Sequence, residues 1–155
     1  MNELILLRHA EAEALHAGKD DRERKLTEHG RNEARAAGEW LASHGVRYDR
    51  ILCSPAERTK ETAALALGQV EPSYEKSIYN ATPGDLFELL DEQADAERVV
   101  LVGHNPGIEQ LVAFLVEGHT DEYRGMPPGG MARLVFDGAL EPGKATLETF
   151  WSPPN

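Results

Sequence analysis

The sequence predicts an α/β fold: a three-layer sandwich with a mostly parallel central sheet and helices on both faces. Three observations lead there. Runs rich in Leu, Ile and Val, from Leu4 to Leu7, Ile51 to Cys53 and Val99 to Val102, stop abruptly at polar residues, as strands covered on both faces do. Segments of helical periodicity follow them, and strand-helix alternation implies parallel pairing. The helix starts carry their own capping and proline signals.

The elements follow in order. After the Leu4 to Leu7 strand, the polar stretch Ala12 to Lys25 is long enough to border a site. Thr27 is placed to cap a first helix, in which Ala34, Ala37, Gly38 and Leu41 share one face. Ser54-Pro55-Ala56-Glu57 reads as a capping box with proline at the first helical position, directly after the Ile51 strand. A further helix is expected from about Gly84 to Glu92, preceded by Pro83. The Val99 strand leads into Asn105-Pro106, a second cap-then-proline signal, and then into a helix with Ile108, Leu111, Val112 and Leu115 on one face. A Gly/Pro-rich stretch, Gly125 to Gly130, introduces Met131 to Phe136, and a turn near Glu141 to Lys144 introduces Ala145 to Trp151, which predicts a closing hairpin on a sheet edge.

Composition bounds the function. The 155 residues suit one domain, 1–155, with one sizeable core. With 41% hydrophobic and 28% charged residues, apolar burial can offset chain entropy. A net charge of -11 argues against a broad nucleic-acid or anionic-membrane surface, so any anion site must be local. The acidic start and short apolar run of Met1 to Leu7 fit neither a signal peptide nor a membrane span, and the expectation is a cytoplasmic protein. The lone Cys53 is expected as a small buried thiol at a strand end.

Loops leaving the carboxyl ends of neighbouring parallel strands converge on one crevice, where ligands bind. Here those ends carry Arg8 and His9, then Ser54 and, one helical turn on, Arg58, then His104 and Asn105. Guanidinium forks match phosphate oxygens in pairs, and helix amino termini add oriented N–H donors. A neutral imidazole in such a place can attack phosphorus and divide hydrolysis into two displacements. Each residue alone has a plain structural reading as a cap, a solvated helix arginine or a hydrogen-bonded histidine; their equivalent positions after strands bring them to one point. On this reading His9 is the nucleophile, Arg8, Arg58 and His104 hold the phosphoryl group, and Asn105 and Ser54 join in binding it.

Leu7-Arg8-His9-Ala10 resembles the signature of the histidine phosphatase superfamily, which includes the cofactor-dependent phosphoglycerate mutases. Leu26 to Ala34, Leu52 to Ala63 (with Arg58 at the phosphate-binding arginine) and Val102-Gly103-His104-Asn105-Pro106 are similar to its further blocks, and the resemblance runs from Leu4 to about Phe136. The short length, the Gly103-His104-Asn105-Pro106 form and the segment Pro127 to Leu134 look most like SixA-type phosphohistidine phosphatases. The resemblance implies a phosphoglycerate mutase-like fold without a lid domain, a phosphorylated His9, a pocket of Arg8, Arg58 and His104, and no metal or other cofactor.

Two departures stand out. The stretch Ser77 to Thr82 has no carboxylate where mutases and many small-molecule phosphatases of the superfamily carry a glutamate acid, and Glu11, Glu13 and Asp85 are no more than candidate substitutes. Lys25 replaces the proline of the SixA-type pattern, leaving the role of Arg24 open. An alkoxide leaving group needs a proton in the transition state, whereas imidazole leaves more readily. The sequence thus favours a phosphohistidine protein, such as a histidine phosphotransfer domain or phosphocarrier, over a small phosphorylated metabolite. A non-catalytic phosphate-recognising module is the reading from another class. Metal hydrolysis is a weaker rival, because the six histidines lack His-Glu-x-x-His spacing and Asp20-Asp21 falls in a polar loop.

Overall fold

The computed structural model describes residues 1–121 and 125–154. A six-stranded mixed sheet runs in the order β3-β2-β4-β1-β5-β6. Its strands are β1 (Glu3–Arg8), β2 (Arg50–Cys53), β3 (Pro72–Tyr74), β4 (Arg98–Gly103), β5 (Met131–Val135) and β6 (Thr146–Trp151). The helices are α1 (Glu28–Ser43), α2 (Glu57–Ala66), α3 (Pro83–Asp91) and α4 (Gly107–Glu117). β1, β2, β3 and β4 pair in parallel, and the β5-β6 hairpin is antiparallel, with β5 against β1.

Strand alternation sorts the core into two layers. Leu4, Leu6, Leu52, Val99 and Leu101 face Leu86 and Leu90 of α3 and Ile108, Leu111 and Leu115 of α4. Ile5, Leu7, Ile51, Cys53, Val100 and Val102 face Ala37 and Leu41 of α1 and Ala63 and Ala66 of α2. Both faces of β1 are buried, which explains its unbroken apolar run. Each such fully buried Leu or Ile contributes about 1.5–3 kcal/mol.

The cap expectations divide. Thr27 caps α1 by accepting from Gly30 N, and Thr82 with Asp85 forms a capping box on α3. Ser54 does not cap α2: that helix begins at Glu57, its N-cap is Ala56, and Ser54 Oγ is directed to His104 instead. α4 likewise starts after Pro106, while Asn105 Oδ1 accepts from Glu109 N at 3.3 Å. The sequence reading lacked β3, whose three residues are too short and too exposed to show a period. Among the described residues no helix is long and apolar enough to cross a membrane.

Gly30 ties α1 to the chain after His9. A Cβ there would lie 2.0 Å from the Glu11 carbonyl oxygen, so no side chain fits without moving backbone. Gly30→Ala is therefore expected to destabilise by about 1–3 kcal/mol. Urea denaturation would measure this, and unchanged stability would show that the Glu11 backbone yields freely.

Candidate active site

The register of the sheet sets the site. Arg8 lies opposite Gly103, and Cys53 opposite Val102, so Arg8-His9, Ser54 and His104 leave three adjacent strands at one level. His9 is 8% exposed and its backbone is fixed twice: its N–H donates to Gly103 O at 3.1 Å and its carbonyl accepts from Gly129 N at 3.0 Å. The next peptide is held by α2, since Ala10 N donates to the buried Thr62 hydroxyl at 3.0 Å.

His9 Nδ1 lies 2.7 Å from the carbonyl oxygen of Ala10. A carbonyl can only accept, so Nδ1 carries the proton and Nε2 the lone pair. Burial holds the His9 imidazole well below its ordinary value, at about 4, with the charges of Arg58, Arg8 and Arg24 acting in the same direction. His9 is thus neutral near pH 7, as a nucleophile must be.

His104 faces it, with ring centroids 5.4 Å apart. Its Nε2 meets Ser54 Oγ at 2.7 Å. Burial, then Arg58 and His9, lower its pKa to about 3. His104 Nδ1 is buried with no partner in the protein, while Nε2 and the Ser54 hydroxyl share one hydrogen bond whose direction follows the imidazole tautomer. Ser54, read from the sequence as a phosphate ligand, here holds an imidazole.

Arg58, 6% exposed, reaches from the first turn of α2. Its Nη1 donates to the Asp21 carbonyl at 2.7 Å and its Nη2 to Asp21 Oδ2 at 2.9 Å. The same Oδ2 accepts from the Tyr79 hydroxyl, and Oδ1 accepts from Arg24 Nη1 at 3.0 Å. The Tyr79 hydrogen bond first, and then Arg58, hold the Asp21 carboxyl at about 2, so it is ionised at neutral pH. Arg8 donates from Nη1 to Met126 O at 2.7 Å. Asn105 is also near this carbonyl, but its amide donates to Met126 O and Glu109 Oε2, so it braces the site from within.

Sequence reasoning missed Asp21 and Tyr79. Asp20-Asp21 looked like loop acids, and only the folding of the short 3-10 turn Asp21–Glu23 against α2 distinguishes them. The candidate acids take other parts: Asp85 caps α3, and Glu11 Oε1 accepts from the Thr27 hydroxyl. Arg24 is a further cation of the site, acting on both histidines. Cys53 is buried as expected, and burial pushes its thiol up to about 12. Among the described residues, no group of His, Cys, Asp and Glu side chains is arranged to hold a metal ion.

The family model described as "Histidine phosphatase superfamily (branch 1)" matches residues 4–79, the stretch that carries Arg8, His9 and Arg58. An uncharacterized Mycobacterium tuberculosis protein is 32% identical over 95% of this chain and 99% of its own length. The chain belongs to the histidine phosphatase superfamily. Among solved structures of this superfamily's fold, a provisional SixA phosphohistidine phosphatase from Nakamurella multipartitia is 31% identical, with a TM-score of 0.88 over 98% of this chain and 96% of that one. The protein histidine phosphatase SixA complexed with tungstate is 25% identical, with a TM-score of 0.82 over 97% of both chains. Superfamily membership and these neighbours support a phosphatase.

The depressed histidines make stability depend on pH. Their folded values, about 4 and about 3, lie below the ordinary 6.5, so on acidification the unfolded chain takes up protons first. Stability is complete above about pH 6.5 and falls towards pH 4, with Asp21 adding a loss only as pH drops from about 4 towards 2. Denaturation midpoints measured from pH 7.5 to 4.5 should decline, and the decline should be shallower in His104→Asn. A flat wild-type profile would show that the imidazoles are not held neutral.

Proposed function

We propose that this protein is a phosphatase that removes the phosphoryl group from phosphohistidine on a protein, through a phosphorylated His9. His9 Nε2 attacks phosphorus; the new N–P bond forms as the bond to the substrate imidazole breaks, and with the other nitrogen of the substrate ring protonated the electron pair stays on the departing nitrogen of a neutral imidazole. Water then attacks the phosphohistidine, releasing inorganic phosphate and restoring the His9 lone pair. Arg8, Arg58 and His104 stabilise the equatorial oxygens in both displacements.

One observation carries the phosphate reading. Among the described residues, four buried side-chain polar atoms lack a partner: Arg8 Nε, Arg58 Nε, His104 Nδ1 and, away from the site, Glu3 Oε2. Arg8 Nε and Arg58 Nε are N–H donors, and His104 Nδ1 is one in the tautomer whose Nε2 accepts from the Ser54 hydroxyl; all three atoms lie on the residues that sequence reasoning assigns to phosphate. A buried donor without an acceptor costs about 1–3 kcal/mol, which the oxygens of a phosphoryl group would relieve.

The leaving group favours phosphohistidine. Asp21, the carboxylate bound to Arg58, is ionised and its oxygens already accept from Arg58, Arg24 and Tyr79, so it has no proton to give. An alkyl phosphate needs such a donor; a phosphohistidine ring protonated on its other nitrogen does not, because it releases neutral imidazole, whose conjugate acid has a pKa of about 6.5. The SixA likeness agrees with this choice, and a protein carrier fits a fold without a lid. With His9 itself as the nucleophile, the proposed mechanism calls for no metal-bound hydroxide and no other cofactor.

Incubation with a phosphohistidine phosphocarrier, a phosphohistidine phosphotransfer domain and a panel of metabolite phosphates tests the substrate. Turnover of the phosphohistidine proteins is expected at least about a hundredfold faster than of alkyl phosphates, a gap of the size that loss of general-acid catalysis leaves. Turnover confined to metabolites would overturn the assignment. Rapid acid-free quench should trap phosphate on the wild-type chain and none on His9→Ala; its absence from the wild type during turnover would overturn the covalent mechanism.

A further inference from the structure

We propose that Glu109 is a positioning residue: its carboxylate pins the Met126 peptide, and the Met126 carbonyl in turn sets the Arg8 guanidinium for phosphoryl binding. The inference rests on the reading of Arg8 as a phosphate ligand.

Arg8 needs an external hold. It stands at the end of β1 on a long side chain, and among the described residues the guanidinium has one hydrogen bond, the 2.7 Å contact of Nη1 with Met126 O. Met126 belongs to no helix or strand, so sheet pairing does not fix its carbonyl. Its side chain is 3% exposed, packed with the α3 and α4 core, which anchors one end of the residue. The peptide itself is oriented by Glu109, whose Oε2 accepts from Met126 N at 3.1 Å.

Asn105 closes the network. Its Nδ2 donates to Glu109 Oε2 at 3.2 Å and to Met126 O at 3.1 Å, while its Oδ1 accepts from Glu109 N at 3.3 Å. Both polar groups of the Met126 residue are therefore fixed at the start of α4, by Glu109 in its first turn and by Asn105 just before it. This links the strand that delivers His104 to the guanidinium delivered by the neighbouring strand. The charge of Glu109 adds to the geometry: burial lowers the Arg8 pKa, and Glu109 is the foremost group opposing that.

A solvated helix carboxylate would do none of this, and a general brace of α4 would act without regard to Arg8. Tungstate binding measured by titration calorimetry separates these cases, because the probe reports the oxyanion site without any assumption about the physiological substrate. Glu109→Ala is expected to weaken tungstate about tenfold, and Glu109→Gln, which keeps an acceptor oxygen for both N–H donors, by less than about threefold. In an Arg8→Ala background, Glu109→Ala should change affinity by less than about twofold, since a residue acting through Arg8 has nothing left to position. Asn105→Ala, which breaks the network from its other side, should show the same dependence on Arg8 and serves if Glu109→Ala does not fold. Equal weakening in both backgrounds, or a Gln variant as impaired as Ala, would overturn the positioning role. Failure of the wild-type chain to bind tungstate would instead overturn the phosphate reading of the site, and this inference with it.

Discussion

Half-buried Arg8 and buried Arg58 both act on His9, and this gathering of positive charge is the constraint on which the site depends. Two cations near two imidazoles are tolerable only if the imidazoles stay neutral and the guanidinium groups have anions or carbonyls to meet. Burial meets the first condition. Asp21 meets the second for Arg58, and the Met126 carbonyl with Glu109 behind it does so for Arg8. These partners take both Nη nitrogens of Arg58 and Nη1 of Arg8, and leave each Nε–H without an acceptor. The protein therefore satisfies each guanidinium far enough to hold it in place, and leaves hydrogen-bonding capacity that an oxyanion can use.

The sheet makes this possible. Because β1 lies between β4 and β5, with β2 on the other side of β4, three parallel carboxyl ends sit side by side. Side chains just past those ends share one crevice, and the helices that follow two of them add orientation: Thr62 of α2 fixes the chain after His9, and Glu109 of α4 reaches the segment that holds Arg8. Each helix thus positions a residue delivered by a different strand. The same packing that buries the apolar runs fixes the relative placement of the polar groups that end them.

This division explains what was legible in the sequence. The central strands could be read because burial on both faces writes continuous apolar runs, and Arg8, His9, Ser54, Arg58 and His104 could be located because they end those runs. What the runs do not encode is which polar group meets which. Ser54 reads as a helix cap because Ser-Pro-x-Glu is a local signal, yet in the fold a neighbouring strand brings His104 within 2.7 Å of its hydroxyl and the cap role is lost. Asp21 looks like its neighbour Asp20; in the fold Asp20 bonds exposed Arg22 while Asp21 bonds buried Arg58. Glu109 sits at a helical position that suits solvent, and the return of the chain at Met126 gives it a distant partner besides the nearby Asn105. β3 escaped because three residues at a sheet edge, largely exposed, carry no period.

The charge pattern also bears on chemistry. A site that needed a proton donor would have to keep one carboxyl neutral, by burial or by another anion beside it. Asp21 is held in the opposite way: hydrogen bonds from Tyr79, Arg58 and Arg24 all favour its ionised form. An ionised carboxylate turned toward Arg58 helps to hold that arginine and offers no acid. On the proposed reading these are two consequences of one choice. A site of this kind relies on a leaving group that needs little help, and phosphohistidine supplies one.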